Sequence, residues 1–233
     1  MLGFLLWVRA LPIAEGMLSL LSKLGLFVVV VFAMLLVNHT FLPPVSMPMI
    51  ERAFSLKSVG RVYVPLNRIS PALMRAVIAA EDGKFCDHHG VDWKALGKVV
   101  EDYTEEDDAS HGASTITMQT TKNLFLWNGR SVVRKGIEIP LAILLDAVWS
   151  KRLIMENYLN VAEFGRGIFG AEAAARHYFR KSARALTSQE AALLAATLPS
   201  PKRRNPARPS GYVSRYAGSI AARAHQVDSS CLR

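Results

Sequence analysis

Apolar side chains form one nearly unbroken run near the N-terminus, from Met17 to Val37, interrupted only by two serines, Lys23 and Gly25. At about 1.5 Å per residue, a helix over this run is about 30 Å long, which matches the hydrocarbon core of a bilayer. The pattern therefore predicts a transmembrane anchor over residues 17–37, preceded by a cytoplasmic N-terminus over residues 1–16.

The basic residues around the apolar run predict its orientation. Arg9 and Lys23 precede the centre of the run, whereas no Lys or Arg occurs from Leu24 to Glu51. The positive-inside rule therefore puts the N-terminus in the cytoplasm and the rest of the chain outside. The alternative is a cleaved signal peptide, but no small-residue A-x-A site follows the run.

Helical patterns dominate the rest of the chain. After a Pro-containing juxtamembrane linker over residues 38–60 and an extended piece at 62–64, most segments have helical spacing. We predict helices over residues 71–81, 91–103, 131–150, 151–160, 170–178 and 187–198, mixed turn and helix over 112–123, and a weak helix from 211. The acidic run over 101–108 predicts a mobile loop. The predicted class is mainly α, with one compact domain over residues 61–233.

Charge and cysteine content narrow the partners only slightly. The formal net charge of +9 suits an anionic partner such as lipid headgroups, diphosphates or an acidic polymer, whereas nucleic acid is excluded by the predicted location. Cys86 and Cys231 are the only cysteines. They could pair in an exported chain, but their wide spacing defines no framework, and we predict no obligatory disulfide.

Two adjacent carboxylates, Glu81 and Asp82, close the predicted helix over 71–81. The negative end of a helix dipole disfavours carboxylates, which costs stability and raises their pKa. A raised pKa is useful in a general base. The alternative interpretation is an ordinary solvated helix end. His88 nearby is interpreted as a structural hydrogen-bonding residue, and the histidines show no metal-ligand spacing.

Five polar segments follow one another along the exported part of the chain. They are Glu81-Asp82-x-x-Phe85-x-x-His88-x-Gly90; Gly112-Ala113-Ser114-Thr115-Ile116-Thr117-Met118-Gln119-x-x-Lys122-Asn123; Arg134-Lys135-x-x-Glu138; Lys151-x-x-Ile154-Met155-Glu156-x-Tyr158-Leu159-Asn160; and Glu190-Ala191-Ala192-Leu193-Leu194-Ala195. In this order they resemble the signatures of the peptidoglycan glycosyltransferases, glycosyltransferase family 51. The short chain with one anchor resembles the monofunctional members. Met118 departs from the family, which usually has glutamine there.

The resemblance implies a lysozyme-like α-domain with one N-terminal transmembrane helix. It implies an inverting reaction that polymerises lipid II into β-1,4-linked glycan strands and releases undecaprenyl diphosphate. Glu81 matches the general base of the family, and Glu138 matches its second essential carboxylate. The residues predicted to bind substrate are Asp82, Ser114, Thr115, Gln119, Lys122, Asn123, Arg130, Arg134 and Lys135.

The predicted cations suit the chemistry of a leaving diphosphate. Fixed Lys and Arg donors stabilise developing negative charge best in a dry site, and the resemblance assigns this role to Lys122 and Arg130. In a helix, Arg130, Arg134 and Glu138 would share one face because they recur at four-residue steps. The alternative for that spacing is a surface Arg–Glu ladder.

The resemblance also sets expectations for cofactors, partners and location. Mg²⁺ or Mn²⁺ could accompany the substrate diphosphate, but the sequence shows no dedicated metal site. The expected partners are lipid II, the growing glycan strand, lipid of the bacterial inner membrane, and cell-division or wall-synthesis proteins. The catalytic domain is expected in the periplasm.

Two other functions compete with the transferase. A lytic enzyme would use Glu81 but would leave Lys122, Arg130 and Glu138 without a role. An anchored scaffold would explain none of the polar segments. Neither Ser-x-x-Lys nor Lys-Thr-Gly occurs in the chain, so we expect no penicillin-binding transpeptidase activity.

The aromatic segments have structural interpretations. Phe125-Leu126-Trp127 and Val148-Trp149 are predicted to belong to the core. Phe164, Ile168 and Phe169 fit either the core or an apolar edge that contacts lipid.

Overall fold

The computed structural model of the protein describes residues 2–105, 113–129 and 131–233; of residues 2–16, 28, 29 and 100–105 it describes the backbone. The chain divides into two compact units, Met1–Pro43 and Pro44–Arg233. The predicted boundaries of the linker and of the catalytic domain stay predictions.

The first unit is a single long helix, α1 (Leu2–Phe41). Its segment Met17–Phe41 is long and apolar enough to cross a membrane, and it is the one such helix among the described residues. Most of the large apolar side chains described there are exposed, including Leu24 and Phe27. These properties are compatible with a single-pass membrane anchor.

Helices form most of the second unit, which confirms the predicted mainly α class. They are α2 (Met47–Phe54), α3 (Pro71–Glu81), α4 (Trp93–Glu105), α5 (Ile116–Phe125), α6 (Val132–Val148), α7 (Lys151–Val161), α8 (Ala171–Phe179), α9 (Ser188–Thr197) and α10 (Gly211–Arg223), with 3-10 turns at Leu66–Arg68, Ala183–Ala185 and Ser230–Leu232.

Side-chain caps explain where several helices begin. The Ser70 hydroxyl accepts the Ala72 N–H at 3.3 Å, and Pro71 occupies the first turn of α3. Thr187 and Glu190 form a reciprocal capping box at the start of α9. Both predicted helix starts are therefore confirmed.

A small sheet lies beside the helices. Its strands are β1 (Gly60–Arg61), β2 (Glu163–Gly165) and β3 (Ile168–Phe169), in the order β1-β3-β2. β1 is parallel to β3, whereas β2 is antiparallel to it. The predicted extended piece at 62–64 follows β1 directly. The Asn160 side chain of α7 holds it, accepting the Val64 N–H at 3.0 Å and donating to the Val64 carbonyl at 2.9 Å.

The core lies between two groups of helices. α9 packs against α3 and α10, while α5 packs against α6 and α7. Phe164 and Phe169 are fully buried, so they belong to the core and not to a lipid-facing edge.

Some predicted core positions are wrong. Leu126 and Trp149 are buried, whereas Trp127 and Val148 are about half exposed. Trp127 follows the end of α5 and Val148 is the last residue of α6. At a helix end, neighbouring side chains point in different directions, so a short apolar run there is not buried as a whole.

Two predicted irregular segments are partly helical. α4 extends to Glu105, so residues 101–105 of the predicted loop are helical, and 106–108 lie outside the described residues. Glu is a good helix former, so acidic composition does not end a helix. The predicted linker contains α2, which begins with Ser46 as a cap and a proline in its first turn. That cap–proline signal overrides the linker composition.

Cys86 and Cys231 form a disulfide with an S–S distance of 2.03 Å, which contradicts the prediction of no obligatory disulfide. The two residues are 145 positions apart in sequence. α10 packs against α3, and the turn Ser230–Leu232 packs against α7. The C-terminal segment thereby returns to the turn that follows α3, a contact that spacing along the chain does not reveal.

Candidate active site

Glu81 is the last residue of α3, and its side chain is largely buried. Gln119 on α5 donates a hydrogen bond from Nε2 to Glu81 Oε2 at 2.8 Å. Burial raises the pKa of Glu81, and this effect outweighs the opposing hydrogen bond from Gln119 and the positive charge of Lys122. The expected raised pKa is therefore present, but its main cause is burial in the tertiary structure. A carboxylate whose pKa is raised is a stronger base and is suited to accept a proton in catalysis.

Tyr158 on α7 fixes the orientation of the Gln119 amide. Its hydroxyl donates to Gln119 Oε1 at 3.3 Å, which leaves the amide nitrogen directed at Glu81. Tyr158 is fully buried, and burial together with the charges of Glu81 and Asp82 raises the pKa of Tyr158 well above its ordinary value. The hydroxyl therefore stays protonated and acts as a donor. Three helices, α3, α5 and α7, thus meet at one hydrogen-bonded chain.

Asp82 follows Glu81 directly and connects the end of α3 to α5 and to His88. It caps α3, is buried, and accepts the backbone N–H of Ile116 through Oδ2 at 2.9 Å. Both its oxygens lie 2.9–3.0 Å from His88 Nε2. Both carboxylate oxygens are thus engaged within the protein, which favours a positioning role for Asp82 over contact with substrate. The structural interpretation of His88 agrees with this geometry.

The loop after α3 is held against α5 and α6. Gly90 has φ of +82°, and a Cβ atom there would lie 2.6 Å from the Ala142 carbonyl oxygen of α6. Thr115 donates from Oγ1 to the Gly90 carbonyl at 2.6 Å and caps α5 by accepting the Met118 N–H at 3.1 Å. Thr115 is buried, and these two contacts hold the loop against the start of α5.

Glu138 on α6 is buried and binds two cations. It forms an ion pair with Arg134, and its Oε1 lies 2.8 Å from Lys135 Nζ. Lys135 also donates to Ser114 Oγ at 2.9 Å. A buried acceptor excludes the surface-ladder interpretation for Arg134 and Glu138. Arg130 lies outside the described residues.

Lys122 is a largely buried cation on α5. Burial lowers the pKa of Lys122; the Glu138 carboxylate opposes this effect, whereas the charges of Arg134 and Lys135 reinforce it. Within the described part of the chain, no side chain or carbonyl forms a hydrogen bond or ion pair with the Lys122 ammonium group. Its ammonium group is thus desolvated, near other cations and available to an anion.

Two clefts adjoin the Glu81–Gln119 hydrogen bond. The first, which we call the cation cleft, has a volume of about 490 Å³ and is lined by Gln119, Lys122 and Asn123. The second, the base cleft, has a volume of about 330 Å³ and is lined by Glu81 and Ser114 among others. Gln119 lines the cation cleft and its partner Glu81 lines the base cleft. The proton acceptor Glu81 and the cation Lys122 therefore face neighbouring clefts.

Several residues near the site were not predicted. Tyr158 belongs to the fourth polar segment, but its role depends on a contact with α5 that the sequence does not show. Arg52 and Lys57, in and just after α2, line the cation cleft. Arg204, in the basic C-terminal region, lowers the pKa of Glu81 through its charge and lies 5.2 Å from the Tyr212 ring. No local signal identifies these long-range contributions.

Met118 faces away from the site. It is fully buried and packs with Val91 and Ala142 in an apolar cluster. A methionine is suited to such a position, and the departure from glutamine leaves the Gln119–Glu81 contact intact.

The described residues do not supply a metal site of their own. No group of three His, Cys, Asp or Glu side chains converges among them. Glu138 is the predicted site carboxylate that could be considered as a metal ligand, but it already binds Arg134 and Lys135. A Mg²⁺ or Mn²⁺ ion at the substrate diphosphate stays a proposal in which substrate oxygens would provide the ligands.

The chain matches the family model described as Transglycosylase over residues 49–225. It is 50% identical over 219 residues to a biosynthetic peptidoglycan transglycosylase of Brucella suis biovar 1, covering 94% of this chain and 95% of that protein. Proteins of the same name from Rhodospirillum centenum and Agrobacterium fabrum are 47% and 52% identical. The alignments cover 89% and 79% of this chain, and 88% and 81% of those proteins.

Proposed function

Because this chain belongs to the transglycosylase family of peptidoglycan synthesis, we propose that it polymerises lipid II into β-1,4-linked glycan strands and releases undecaprenyl diphosphate. As a family member it is a glycosyltransferase with the lysozyme-like helical fold of the transglycosylase domain, and it acts on peptidoglycan precursors and glycan strands. The observation that carries the finer proposal is the placement of Glu81, a largely buried proton acceptor, beside a cleft lined by Lys122, whose ammonium group has no hydrogen-bond or ion-pair partner among the described residues.

The proposed step is a single inverting displacement. Glu81 accepts the proton of the acceptor sugar 4-hydroxyl while that oxygen forms a bond to C1 of the donor sugar. The bond from C1 to the diphosphate oxygen breaks, and its electron pair leaves with undecaprenyl diphosphate. One displacement converts the α-linked diphosphate into a β-glycosidic bond. The raised pKa of Glu81 favours this proton transfer because the carboxylate is a stronger base than an exposed one.

The cations would stabilise the leaving diphosphate. Lys122 offers a desolvated ammonium group, and such a donor interacts strongly with developing negative charge. Arg134 and Lys135 are fixed in place by the buried Glu138, which gives this carboxylate a positioning role. We assign Arg130 to the diphosphate from the resemblance alone.

The remaining predicted residues are assigned supporting roles. Ser114 accepts the Lys135 hydrogen bond and lines the base cleft, and Asn123 lines the cation cleft next to Lys122. Thr115 and Asp82 connect α5 to the loop and to α3. Gln119 holds the Glu81 carboxylate in position.

We place the protein in the bacterial inner membrane, with the N-terminus in the cytoplasm and the second unit in the periplasm. Arg9 and Lys23 lie on the N-terminal side of the apolar run, whereas no Lys or Arg occurs from Leu24 to Glu51. This asymmetry of positive charge supports the orientation. A reporter active only outside the cytoplasm, fused after Arg233, should be active. An inactive reporter would reverse the orientation, and a shortened mature chain would restore the signal-peptide alternative.

The polymerase assignment is tested by product analysis with purified full-length protein in detergent. Incubation with lipid II should give a glycan polymer and undecaprenyl diphosphate. Release of muropeptides from mature glycan would instead support a lytic enzyme, and no reaction with either substrate would support a scaffold. A fluorescent penicillin should not label the chain, because the acylating Ser-x-x-Lys is absent.

A further inference from the structure

A third cleft, of about 550 Å³, lies around the N-terminal end of α3. Its walls carry Arg75, Arg152, Arg184 and Arg233, and we call it the arginine cleft. The rest of its lining mixes apolar residues such as Pro71 and Met74 with the polar Asn67 and Ser229, and no Asp or Glu side chain lines it. None of the ion pairs among the described residues involves these four arginines. An excess of guanidinium groups over Asp and Glu side chains is suited to an anionic ligand.

Two of these guanidinium groups are held by the backbone. Arg152 donates from Nη1 to the Leu232 carbonyl at 2.8 Å, and Arg184 donates from Nη1 to the Asn67 carbonyl at 2.5 Å. Each contact uses one N–H group of a five-donor fork, so other donors remain for a ligand. The Leu232 wall is itself next to Cys231, which the disulfide ties to Cys86. The cleft is therefore organised before a ligand binds.

The shape and chemistry of the cleft favour a short peptide with free carboxylates. Arginine forks bind carboxylates in a bidentate manner, and the apolar lining residues Pro71 and Met74 suit small aliphatic side chains. A volume of about 550 Å³ is typical of a pocket for a small ligand, whereas a stable protein interface needs about 800 Å² on each partner. A short peptide fits better than an acidic protein surface.

The cleft lies within reach of the catalytic carboxylate. Met74 lines it and precedes Glu81 by seven residues on α3. Seven residues are nearly two full turns, so both residues share one face of the helix and lie about 10 Å apart along its axis. An extended peptide of about five residues spans up to about 17 Å. A peptide attached to a sugar near Glu81 could therefore reach the arginine cleft.

We propose that the arginine cleft binds the carboxylate-bearing peptide of the glycan strand and thereby holds the strand near the site of elongation. This inference rests on the proposed function, because that function brings peptide-bearing sugars to Glu81. The arginine cleft would bind the peptide portion of the substrate, whereas the base and cation clefts would bind its sugars and diphosphate.

The test measures binding and polymerisation separately, with full-length protein in detergent. The probe is a fluorescein-labelled L-Ala-γ-D-Glu-L-Lys-D-Ala-D-Ala peptide, followed by fluorescence anisotropy. We expect the double variant Arg75→Gln/Arg184→Gln to weaken binding by roughly tenfold or more, since it removes charge-assisted hydrogen bonds. Arg215→Gln, which removes an exposed arginine of α10, is the matched control and should bind within about twofold of wild type. The same peptide with amidated carboxylates should not bind.

The outcomes separate the two proposals. Polymerisation of lipid II by the wild type with equal peptide binding by both variants, or with no peptide binding, would overturn the arginine-cleft proposal and leave the polymerase assignment standing. Binding that is lost only in the double variant, without any polymerisation by the wild type, would support the cleft and overturn the polymerase assignment. Equally tight binding of a glutamate-rich linear peptide of the same length would overturn the assignment to the strand peptide and favour an acidic protein segment.

Discussion

The Gln119 amide donates to the Glu81 carboxylate at 2.8 Å and is itself held by the buried Tyr158 hydroxyl. Two opposing effects therefore act on the pKa of Glu81. Burial raises its pKa, whereas the Gln119 hydrogen bond lowers it and stabilises the ionised form. The contact therefore adjusts the pH at which the base becomes active, and it can be tested by removing the amide.

Gln119→Ala should move the acid limb of the pH–rate profile to higher pH. Without the amide, the carboxylate loses a hydrogen bond to its charged form, so the pKa of Glu81 should rise further and a higher pH is needed to ionise it. The measurement is kcat/KM for lipid II polymerisation as a function of pH. Gln189→Ala, at an exposed position of α9, is the control and should leave the profile unchanged. A lower rate at every pH with an unshifted limb would assign Gln119 to substrate binding only.

Glu81→Gln should reduce polymerisation by about a hundredfold or more, because an amide cannot accept the proton of the attacking hydroxyl. Initial rates with lipid II give the measurement. Glu190→Gln is a useful control, because it weakens the capping box of α9 and the Lys181 ion pair without touching the clefts. Its melting temperature should fall while its rate stays near wild type. Near wild-type turnover by Glu81→Gln would remove Glu81 from the mechanism.

Glu81→Gln should also be more stable than wild type at neutral pH. A carboxyl group whose pKa is raised on folding destabilises the folded state as pH rises above its unfolded pKa of about 4.3. Its stabilising contribution is fully present only below that value and is lost as pH rises through the folded pKa. Thermal melts of wild type and Glu81→Gln should therefore differ at pH 7 and converge near pH 4. A lower melting temperature for Glu81→Gln at pH 7 would contradict this account of burial.

Lys122→Ala should lower the rate by thirtyfold to a thousandfold, which corresponds to the roughly 2–4 kcal/mol expected for a donor to developing charge in a dry site. Its melting temperature should not fall, because burial disfavours the ammonium charge in the folded protein. Lys181→Ala, which breaks the pair with Glu190, should show the opposite pattern. Wild-type rates for Lys122→Ala would place the diphosphate elsewhere, with Lys135 the next candidate.

Arg130→Ala should lower the rate to a similar extent, and Arg130→Lys should restore only part of it. The planar guanidinium fork can bind two phosphate oxygens at once, whereas an ammonium group cannot. Steady-state rates with lipid II for the two variants provide the comparison. An exposed surface residue would instead change the rate little for either variant and contribute at most about 1 kcal/mol to stability.

Local signals predicted much of the fold. The Ser70-Pro71 start of α3 and the Thr187–Glu190 box of α9 were legible because a cap and its helix interact within one turn of sequence. The Ser46 cap of α2 is equally local, but the prolines of that segment favour a linker, so α2 is not among the predicted helices. The half-exposed Trp127 shows the converse, since apolar character at a helix end does not specify which side is covered.

The features of the site also fall into those that local sequence specifies and those that only tertiary packing specifies. By itself, the sequence determined the apolar N-terminal helix, the helical class and the chemical types that resemble a transferase site, because these depend on residue identity and short spacing. Only the tertiary structure decided that Asp82 accepts the Ile116 N–H of α5, that Tyr158 orients Gln119, and that Cys86 meets Cys231. These features depend on which distant helices pack together and on how completely they exclude water. Desolvation and long-range contacts are properties of the packed chain, and no short window of residues contains them.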